Sequence, residues 1–233
     1  MMHAALREQV FLANRAIVAA GLVRLTFGNV SGADREAGVM AIKPSGVPYG
    51  ELGPEAMVVL DLGTGQMVDG RYRPSSDTPT HLELYRAFPS IGGIVHIHSL
   101  YATSWAQAKT PIPCLGTTHA DHFHGAVPVT RPLSQGEIEG PYERSTGTVI
   151  IETIRDLGLE PLEVPAVLVA SHGPFAWGSD PAHAVDNAVA LETVAELALH
   201  AMQIDAALIP IQEELLERHY RRKHGTSAYY GQR

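Results

Sequence analysis

The sequence predicts an α/β fold of the α+β type, with a central, mainly antiparallel β-sheet flanked by α-helices. Two patterns indicate this class. Short apolar runs separated by glycine, proline and aspartate follow an N-terminal helical pattern, and strand and helix signals then alternate along the rest of the chain. A third observation concerns size, because 233 residues with 45% hydrophobic and 18% charged side chains suit one globular domain. We therefore expect residues 1–233 to form a single domain.

The first half of the chain predicts a helix, a group of strands and a second helix. Leu6, Val10 and Ala13 begin a series of apolar residues spaced three and four apart, which is the period of an amphipathic helix. Gly21 suits the C-terminal cap of that helix, and Pro79 suits the first turn of the next one. The predicted elements are a helix over residues 4–20, strands over residues 25–30, 39–42, 57–62 and 67–68, and a helix over residues 80–87.

Strand and helix signals alternate in the second half of the chain. Ser145 suits the N-cap of a helix, and Pro181 suits the first turn of a long one. Residues 116–127 have weak periodicity and many polar groups, which predicts a connecting or functional loop. The predicted elements are strands over residues 94–98 and 166–170, and helices over residues 101–108, 146–157, 180–201 and 210–219.

Charge and cysteine content exclude several classes of function. Seventeen Lys and Arg against 25 Asp and Glu give a formal net charge of −8, whereas a protein that holds a nucleic-acid backbone needs a basic face. Cys114 is the single cysteine, so no intramolecular disulfide is possible and we expect a reducing, cytoplasmic setting. Glu8 and Arg15 interrupt the early apolar stretch, which argues against a targeting segment. No run of about 20 apolar residues occurs, so we expect no membrane-spanning helix. Together with the acidic charge, this leads us to expect neither a membrane nor a nucleic acid as partner.

Three histidines and one aspartate form the strongest candidate site. In His96-Ile97-His98 both imidazoles would point to one face of a strand and could bind one cation, with Ile97 packed on the other face. His172 directly follows an apolar strand, and Asp77 precedes a predicted helix. This donor set suits Zn²⁺, with Mn²⁺ or Co²⁺ as possible substitutes. The alternatives are two histidines on a half-exposed strand and, for Asp77, a helix N-cap.

Short turn-like segments are candidates for holding an anion. Lys43-Pro44-Ser45-Gly46 follows a strand and offers an ammonium group, a hydroxyl and a glycine N–H. Ser75-Ser76 offers two hydroxyls beside Asp77, and Gly28-Asn29 adds an amide. An ordinary turn is the alternative for each segment taken singly.

The predicted loop and the chain end carry further polar groups. Residues 116–122 include Thr117, His119 and Asp121, which concentrate groups able to transfer protons; a solvated loop is the alternative. Tyr229-Tyr230 is unusual so near a terminus, where residues are commonly polar, and it suggests docking against another subunit.

Seven ordered blocks resemble the class II aldolase/epimerase family of metal-dependent sugar-phosphate enzymes, and the likeness extends over nearly the whole chain. The Thr-Thr-His-Ala-Asp loop and the Tyr-Tyr-Gly-Gln ending favour the epimerases within it. The blocks are Gly28 to Ser31, Ile42 to Val47, Pro74 to His81, Gly92 to His96, Gly116 to Asp121, Ser171 to Gly178, and Arg222 to Gly225 followed by Ala228 to Gln232.

The resemblance implies a function and a set of site residues. It implies epimerisation at C4 of a ketopentose phosphate by retro-aldol cleavage of C3–C4, in a C4 homotetramer with sites at subunit interfaces and one divalent metal per subunit. Asp121 and Tyr230 match the acid/base pair, the tyrosine coming from a neighbouring subunit, with Thr117 and His219 as auxiliary groups. The matched metal ligands are Asp77, His96, His98 and His172; the matched substrate and phosphate contacts are Gly28, Asn29, Lys43, Ser45, Gly46, Ser75 and Ser76.

Departures from the family pattern are few. Ile97 stands where these epimerases usually carry threonine, Phe27 replaces a tryptophan, and His122 and His124 stand where tyrosines are common. The nearest alternative is an aldolase of the same family, although such aldolases typically have glutamate at the position of Asp77. The other alternative is a non-catalytic interaction module like the adducin head domain, which lacks the metal ligands. The pathway that supplies the substrate, whether arabinose, ascorbate or a related route, stays open.

Overall fold

The fold is a seven-stranded sheet with helices on both faces. The computed structural model describes residues 2–224 and 228–229. The helices are α1 (Ala4–Ala19), α2 (Thr78–Ala87), α3 (Leu100–Ala108), α4 (Thr117–Ala120), α5 (Gln135–Glu139), α6 (Tyr142–Asp156), α7 (Pro181–Ile204) and α8 (Glu213–His224). The strands are β1 (Asn29–Asp34), β2 (Val39–Ile42), β3 (Val58–Asp61), β4 (Met67–Asp69), β5 (Gly93–His96), β6 (Ala166–Leu168) and β7 (Pro174–Gly178).

The strand order is β4-β3-β2-β1-β5-β7-β6, and every neighbouring pair is antiparallel. This confirms the predicted fold class. The register places Asn29 of β1 opposite His96 of β5, and His96 opposite Phe175 of β7. Three polar or aromatic side chains therefore line up across the central strands at one end of the sheet.

Two apolar clusters fill the two faces of the sheet, as the alternation of side chains along strands requires. Val95 of β5 belongs to the cluster under α1, α3 and α7, whereas its neighbour Ile94 belongs to the cluster under α2 and α6. Among the described residues, no helix is long and apolar enough to cross a membrane.

Two strand predictions need correction, and one strand was not predicted. The strand predicted over residues 25–30 begins only at Asn29, because Leu25 has a left-handed φ of 54° and is 81% exposed. The strand predicted over residues 94–98 ends at His96, because the chain leaves the sheet to begin α3 at Leu100. The sequence did not predict β7, whose residues form the buried strand between β5 and β6.

The helix boundaries also differ from prediction at several points. Residues 116–127 contain the short helix α4. Helix α6 begins at Tyr142, so Ser145 lies inside the helix and is not its cap. The unpredicted α5 begins with a capping box, in which Ser134 and Glu137 each satisfy the other's backbone N–H. Helices α7 and α8 extend further than predicted, to Ile204 and His224.

Candidate metal centre and anion cleft

Three imidazoles converge at the end of the central strands. His96 is the last residue of β5, His98 lies between β5 and α3, and His172 lies in the turn between β6 and β7. One ring nitrogen from each lies within 4.8 Å of the others, and the Nε2 atoms of His96 and His98 are 3.1 Å apart. A tetrahedral Zn²⁺ at about 2.0–2.1 Å from nitrogen requires ligand atoms roughly 3.3 Å apart. The cluster therefore fits a small divalent cation.

The orientation of the His96 ring is determined by β7. His96 Nδ1 donates a hydrogen bond to the Pro174 carbonyl at 3.0 Å. A carbonyl can only accept, so Nδ1 carries the hydrogen and Nε2 of the neutral ring keeps its lone pair. Phe175 stacks on the same ring at 4.2 Å between centroids. His96 is thus held with the lone pair of Nε2 directed toward His98.

The turn that carries His172 is tight. Ser171 adopts a left-handed φ of 63°, and the backbone N–H of His172 donates to the Val169 carbonyl. A Cβ at Gly173 would lie 3.0 Å from the Ile97 carbonyl and 3.7 Å from the rings of His96 and His98. The absence of a side chain at Gly173 therefore lets the turn approach β5 closely enough for the three imidazoles to meet.

A carboxylate on α7 holds the segment that follows His98. Glu192 accepts hydrogen bonds from Ser99 Oγ at 2.6 Å and from the backbone N–H groups of Tyr101 at 2.8 Å and Ala102 at 2.9 Å. The two backbone N–H groups belong to the first turn of α3, where helix donors have no partner within the helix. The negative charge of the carboxylate also lies at the positive end of the helix dipole, where it is favourable. Glu192 therefore fixes the point where the chain turns away from the sheet.

Burial favours the neutral form of the His98 and His172 imidazoles. Burial, followed by the nearby rings of His96 and His98, lowers the pKa of His172 to about 4. Burial and His96 also lower the pKa of His98. Neutral imidazole is the form that binds metal ions, so these rings are in the binding form at neutral pH.

Asp77 lines the same cleft but stands slightly apart from the imidazole cluster. Its Oδ2 accepts a hydrogen bond from Asn29 Nδ2 at 2.6 Å, and Ser75 Oγ lies 3.5 Å away. Burial acts to raise the pKa of Asp77, but His96 and the other facing groups outweigh it, so the pKa lies below its usual value. The side chain makes no capping hydrogen bond to α2, so the helix-cap alternative is not what the structure adopts.

A cleft of about 460 Å³ opens in front of the imidazoles. The predicted anion-binding segments lie side by side along it, because Ser45 N donates to the Arg73 carbonyl and Ser75 N donates to the Lys43 carbonyl, both at 3.0 Å. Gly28 has a φ of 96°, and a Cβ there would lie 2.7 Å from the His96 carbonyl. The sequence-predicted residues that line the cleft are Gly28, Asn29, Lys43, Ser45, Gly46, Ser75, Ser76, Asp77, His96, His98 and His172.

Lys43 places a cation in this cleft. It is 2% exposed, and its ammonium group lies 3.2 Å from the Pro44 carbonyl and 4.8 Å from the centre of the Tyr49 ring. Burial lowers the pKa of this amine. A buried ammonium group is costly unless an anion compensates it, so the cleft favours a negatively charged ligand beside Lys43.

Comparison with known proteins identifies the family. Residues 8–199 match the family described as Class II Aldolase and Adducin N-terminal domain. The chain belongs to this family. The match covers most of α1 to α7 and includes the three histidines, the cleft and the sheet that positions them.

Relatives with high identity cover nearly the whole of this chain. An L-ribulose-5-phosphate 4-epimerase UlaF of Salmonella paratyphi B is 55% identical over 228 residues, which is 98% of this chain and 99% of the relative. The protein of the same name from Salmonella typhi is 54% identical with the same coverage.

Solved structures show the same fold. An L-fuculose 1-phosphate aldolase superposes with a TM-score of 0.79 and 26% identity, over 95% of this chain and 97% of the other. An L-fuculose-1-phosphate aldolase from Thermus thermophilus has a TM-score of 0.69 and 24% identity, over 90% of this chain and 100% of the other.

The cleft also contains residues that the sequence analysis did not assign to it. Tyr142 and Glu143 line the cleft at the first turn of α6, and the Tyr142 hydroxyl lies 3.4 Å from His172 Nδ1. The helix was predicted to begin at residue 146, so neither side chain was assigned to an element end. A prediction that the helix begins at residue 142 would have placed both residues at the end of an element, where functional sites are common.

Asp121, one of the two predicted acid/base groups, lies in a second cluster and is not among the described residues that line the cleft. Asp121 accepts hydrogen bonds from His219 Nδ1 at 3.1 Å and from Arg222 Nη2 at 2.7 Å. Burial acts to raise its pKa, but Arg222 and His219 outweigh it and the pKa is lowered. Thr117 begins α4 beside this cluster, and Tyr230 lies outside the described residues.

Proposed function

We propose that this chain is an L-ribulose-5-phosphate 4-epimerase, which interconverts L-ribulose 5-phosphate and D-xylulose 5-phosphate. The observation that carries the proposal is 55% identity to an epimerase of that name over 98% of this chain and 99% of the relative. The converging imidazoles and the cleft that contains the ammonium group of Lys43 provide groups that such a reaction needs.

Inversion at C4 requires more than proton exchange. The hydrogen on C4 is not adjacent to the C2 carbonyl, so its removal would give an unstabilised carbanion. Cleavage of the C3–C4 bond avoids this, because the bonding electrons flow toward C2 and form an enediolate while the other fragment leaves as an aldehyde. Rotation of that aldehyde and re-addition invert the centre.

A divalent metal, held by His96, His98, His172 and Asp77, would stabilise the enediolate charge as a Lewis acid. Zn²⁺ fits the donor set best, with Mn²⁺ or Co²⁺ as substitutes and one ion per subunit.

The chain's own residues would hold the phosphate of the fragment while it turns. Lys43 supplies the charge, Ser45, Ser75 and Ser76 supply hydroxyls, and the backbone of Gly28 and Gly46 allows close approach. Asn29 already donates to Asp77, so it links the phosphate side of the cleft to the metal side.

Asp121 and Tyr230 are the proposed acid and base at the C4 hydroxyl, with His219 and Thr117 as auxiliary groups. Asp121 does not line its own cleft as described, so this role needs a second subunit. The Arg222 side chain binds Asp121 and the Arg222 carbonyl accepts the backbone N–H of Tyr229, and these two contacts support the pairing of Asp121 with the residue after Tyr229. We therefore propose that both groups enter the cleft of a neighbour in a C4 homotetramer. The single Cys114 suits a cytoplasmic enzyme.

A coupled assay tests the function directly. Purified protein loaded with Zn²⁺ should convert L-ribulose 5-phosphate into D-xylulose 5-phosphate without accumulation of free glycolaldehyde phosphate. Net release of that aldehyde would indicate an aldolase, and no turnover with stoichiometric metal bound would reject the epimerase assignment.

A further inference from the structure

A fully buried histidine lies behind the candidate metal centre. His81 is one turn beyond Asp77 on α2, and its backbone N–H donates to the Asp77 carbonyl at 3.1 Å. Its Nδ1 lies 2.7 Å from Ser31 Oγ of β1. Ser31 Oγ lies in turn 2.8 Å from the hydroxyl of Tyr85, one turn further along α2. The three side chains form a buried chain of hydrogen bonds that the proposed reaction does not use.

The direction of these hydrogen bonds follows from counting donors. If Tyr85 donates to Ser31 and Ser31 donates to His81, both hydroxyl hydrogens are used. If His81 Nδ1 donated to Ser31 instead, one buried hydroxyl hydrogen would have no acceptor, which is unfavourable in a buried site. Nδ1 is therefore the acceptor, and the neutral His81 ring carries its hydrogen on Nε2.

That Nε2 atom is buried and has no hydrogen-bond partner among the described residues. The charged and titratable groups that face the ring are Asp77 and His96. His96 is oriented by Pro174, whereas Asp77 can accept hydrogen bonds on two oxygens. The edge of the His81 ring also packs against Phe175, the residue that stacks on His96.

We propose that His81 is a positioning residue for Asp77. The Tyr85–Ser31 pair holds the His81 ring with its Nε2–H available, and Asp77 accepts that hydrogen when its carboxylate joins the three imidazoles around the cation. The inference rests on the proposed metal site. It assigns His81 as a hydrogen-bond partner of Asp77, the proposed ligand that lies outside the cluster of three imidazoles. Such partners typically change metal affinity by about 10–100-fold when removed.

Metal affinity provides the first test. We expect His81→Phe to weaken Zn²⁺ binding by about 10–100-fold, measured by competition with a chelator, and His81→Gln, which keeps an N–H donor, to recover part of the loss. In an Asp77→Asn background the His81→Phe change should have little further effect, because the partner carboxylate is gone. Equal losses in both backgrounds, or an unchanged affinity of the single variant, would overturn the proposal.

A spectroscopic test needs no variant that might fail to fold. In protein labelled with ¹⁵N-histidine, His81 should show the Nε2–H tautomer, and Zn²⁺ should shift that signal as Asp77 accepts the hydrogen. His119 is the internal reference, because its Nε2 donates to the Gly125 carbonyl. An Nδ1–H tautomer for His81 would contradict the proposal. Both tests measure the chain and Zn²⁺ alone, so a protein that binds metal as expected but fails to epimerise would reject the function and not this inference.

Discussion

Asn29 and His96 lie directly opposite each other on β1 and β5, and this pairing joins the two halves of the site. Asn29 donates to Asp77 Oδ2 and to Ser75 Oγ, while His96 meets His98 and His172. The Asn29 amide therefore connects Ser75, on the anion side of the cleft, to Asp77, on the metal side, by hydrogen bonds. The central strand register is what makes the cleft a single unit.

Removal of one imidazole should remove the metal. We expect His98→Ala to reduce bound Zn²⁺ well below one ion per subunit and to reduce turnover in parallel, because two nitrogens and a carboxylate make a weaker site. Elemental analysis and the coupled assay measure the two effects. His200→Ala, on the exposed part of α7, is the control and should keep both. Full occupancy with normal turnover in His98→Ala would exclude this ligand set.

Lys43 should matter for binding more than for bond cleavage. Lys43→Met keeps most of the length of the side chain but removes the charge, so KM for L-ribulose 5-phosphate should rise by about 5–150-fold, equivalent to about 1–3 kcal/mol. Lys109→Met, at an exposed position, should leave KM unchanged. If kcat falls while KM stays constant, Lys43 contributes to the chemical step and the phosphate assignment is wrong.

Subunit sharing predicts complementation between inactive variants. His98→Asn and Tyr230→Phe should each be inactive alone, yet a mixture that is unfolded and reassembled should recover part of the activity, because some sites combine an intact ligand set with an intact Tyr230. A mixture of Asp121→Asn and Tyr230→Phe should recover none if one subunit supplies both groups. Exchange of affinity tags verifies that mixed tetramers form. Mixed tetramers of the first pair without activity would place Tyr230 in its own subunit's site or outside catalysis.

The carboxylate of Glu192 should stabilise the segment around His98. Glu192→Gln weakens three hydrogen bonds to the start of α3 and removes a negative charge that interacts favourably with the helix dipole. We therefore expect a loss of about 1–3 kcal/mol in the free energy of unfolding. Denaturant unfolding of the metal-free protein measures it. Glu196→Gln, one turn along α7 and 45% exposed, should change stability much less. Equal losses of stability in Glu192→Gln and Glu196→Gln would show that the hydrogen bonds of Glu192 to α3 do not contribute specifically to the free energy of unfolding.

Acid should destabilise the metal-free protein through its buried histidines. Burial lowers the pKa of His119 from 6.5 to about 4, so the unfolded chain binds a proton there before the folded chain does. Stability from this group is complete above pH 6.5 and is lost as the pH falls toward 4, at up to about 1.4 kcal/mol per pH unit. His119→Gln should flatten the pH dependence of unfolding between these values, and His200→Gln should not. A slope unchanged by His119→Gln would assign the acid sensitivity to other groups.

Much of the site could be predicted from sequence because its parts are local. His96-Ile97-His98, Ser75-Ser76-Asp77 and Lys43 to Gly46 are short segments whose chemistry is visible in the residue types, and the cleft contains the polar groups of all three. The helical period of α1 and the apolar run of β2 are local signals of the same kind. By contrast, the alternation of side chains along a strand assigns residues to one face of the sheet or the other only once the strand boundaries are known.

The sequence by itself determined the fold class and the family, and it predicted which side chains could supply the donor atoms of the site. Only the tertiary structure decided which atoms meet: the turn at His172 reaches β5 through Gly173, and Glu192 of α7 caps α3. It also decided that β7 lies between β5 and β6, with Phe175 against His96. The physical reason is that periodicity and turn signals record the preferences of neighbours along the chain. Contacts between distant segments depend on strand register and close backbone approach, which are set by packing of the whole domain.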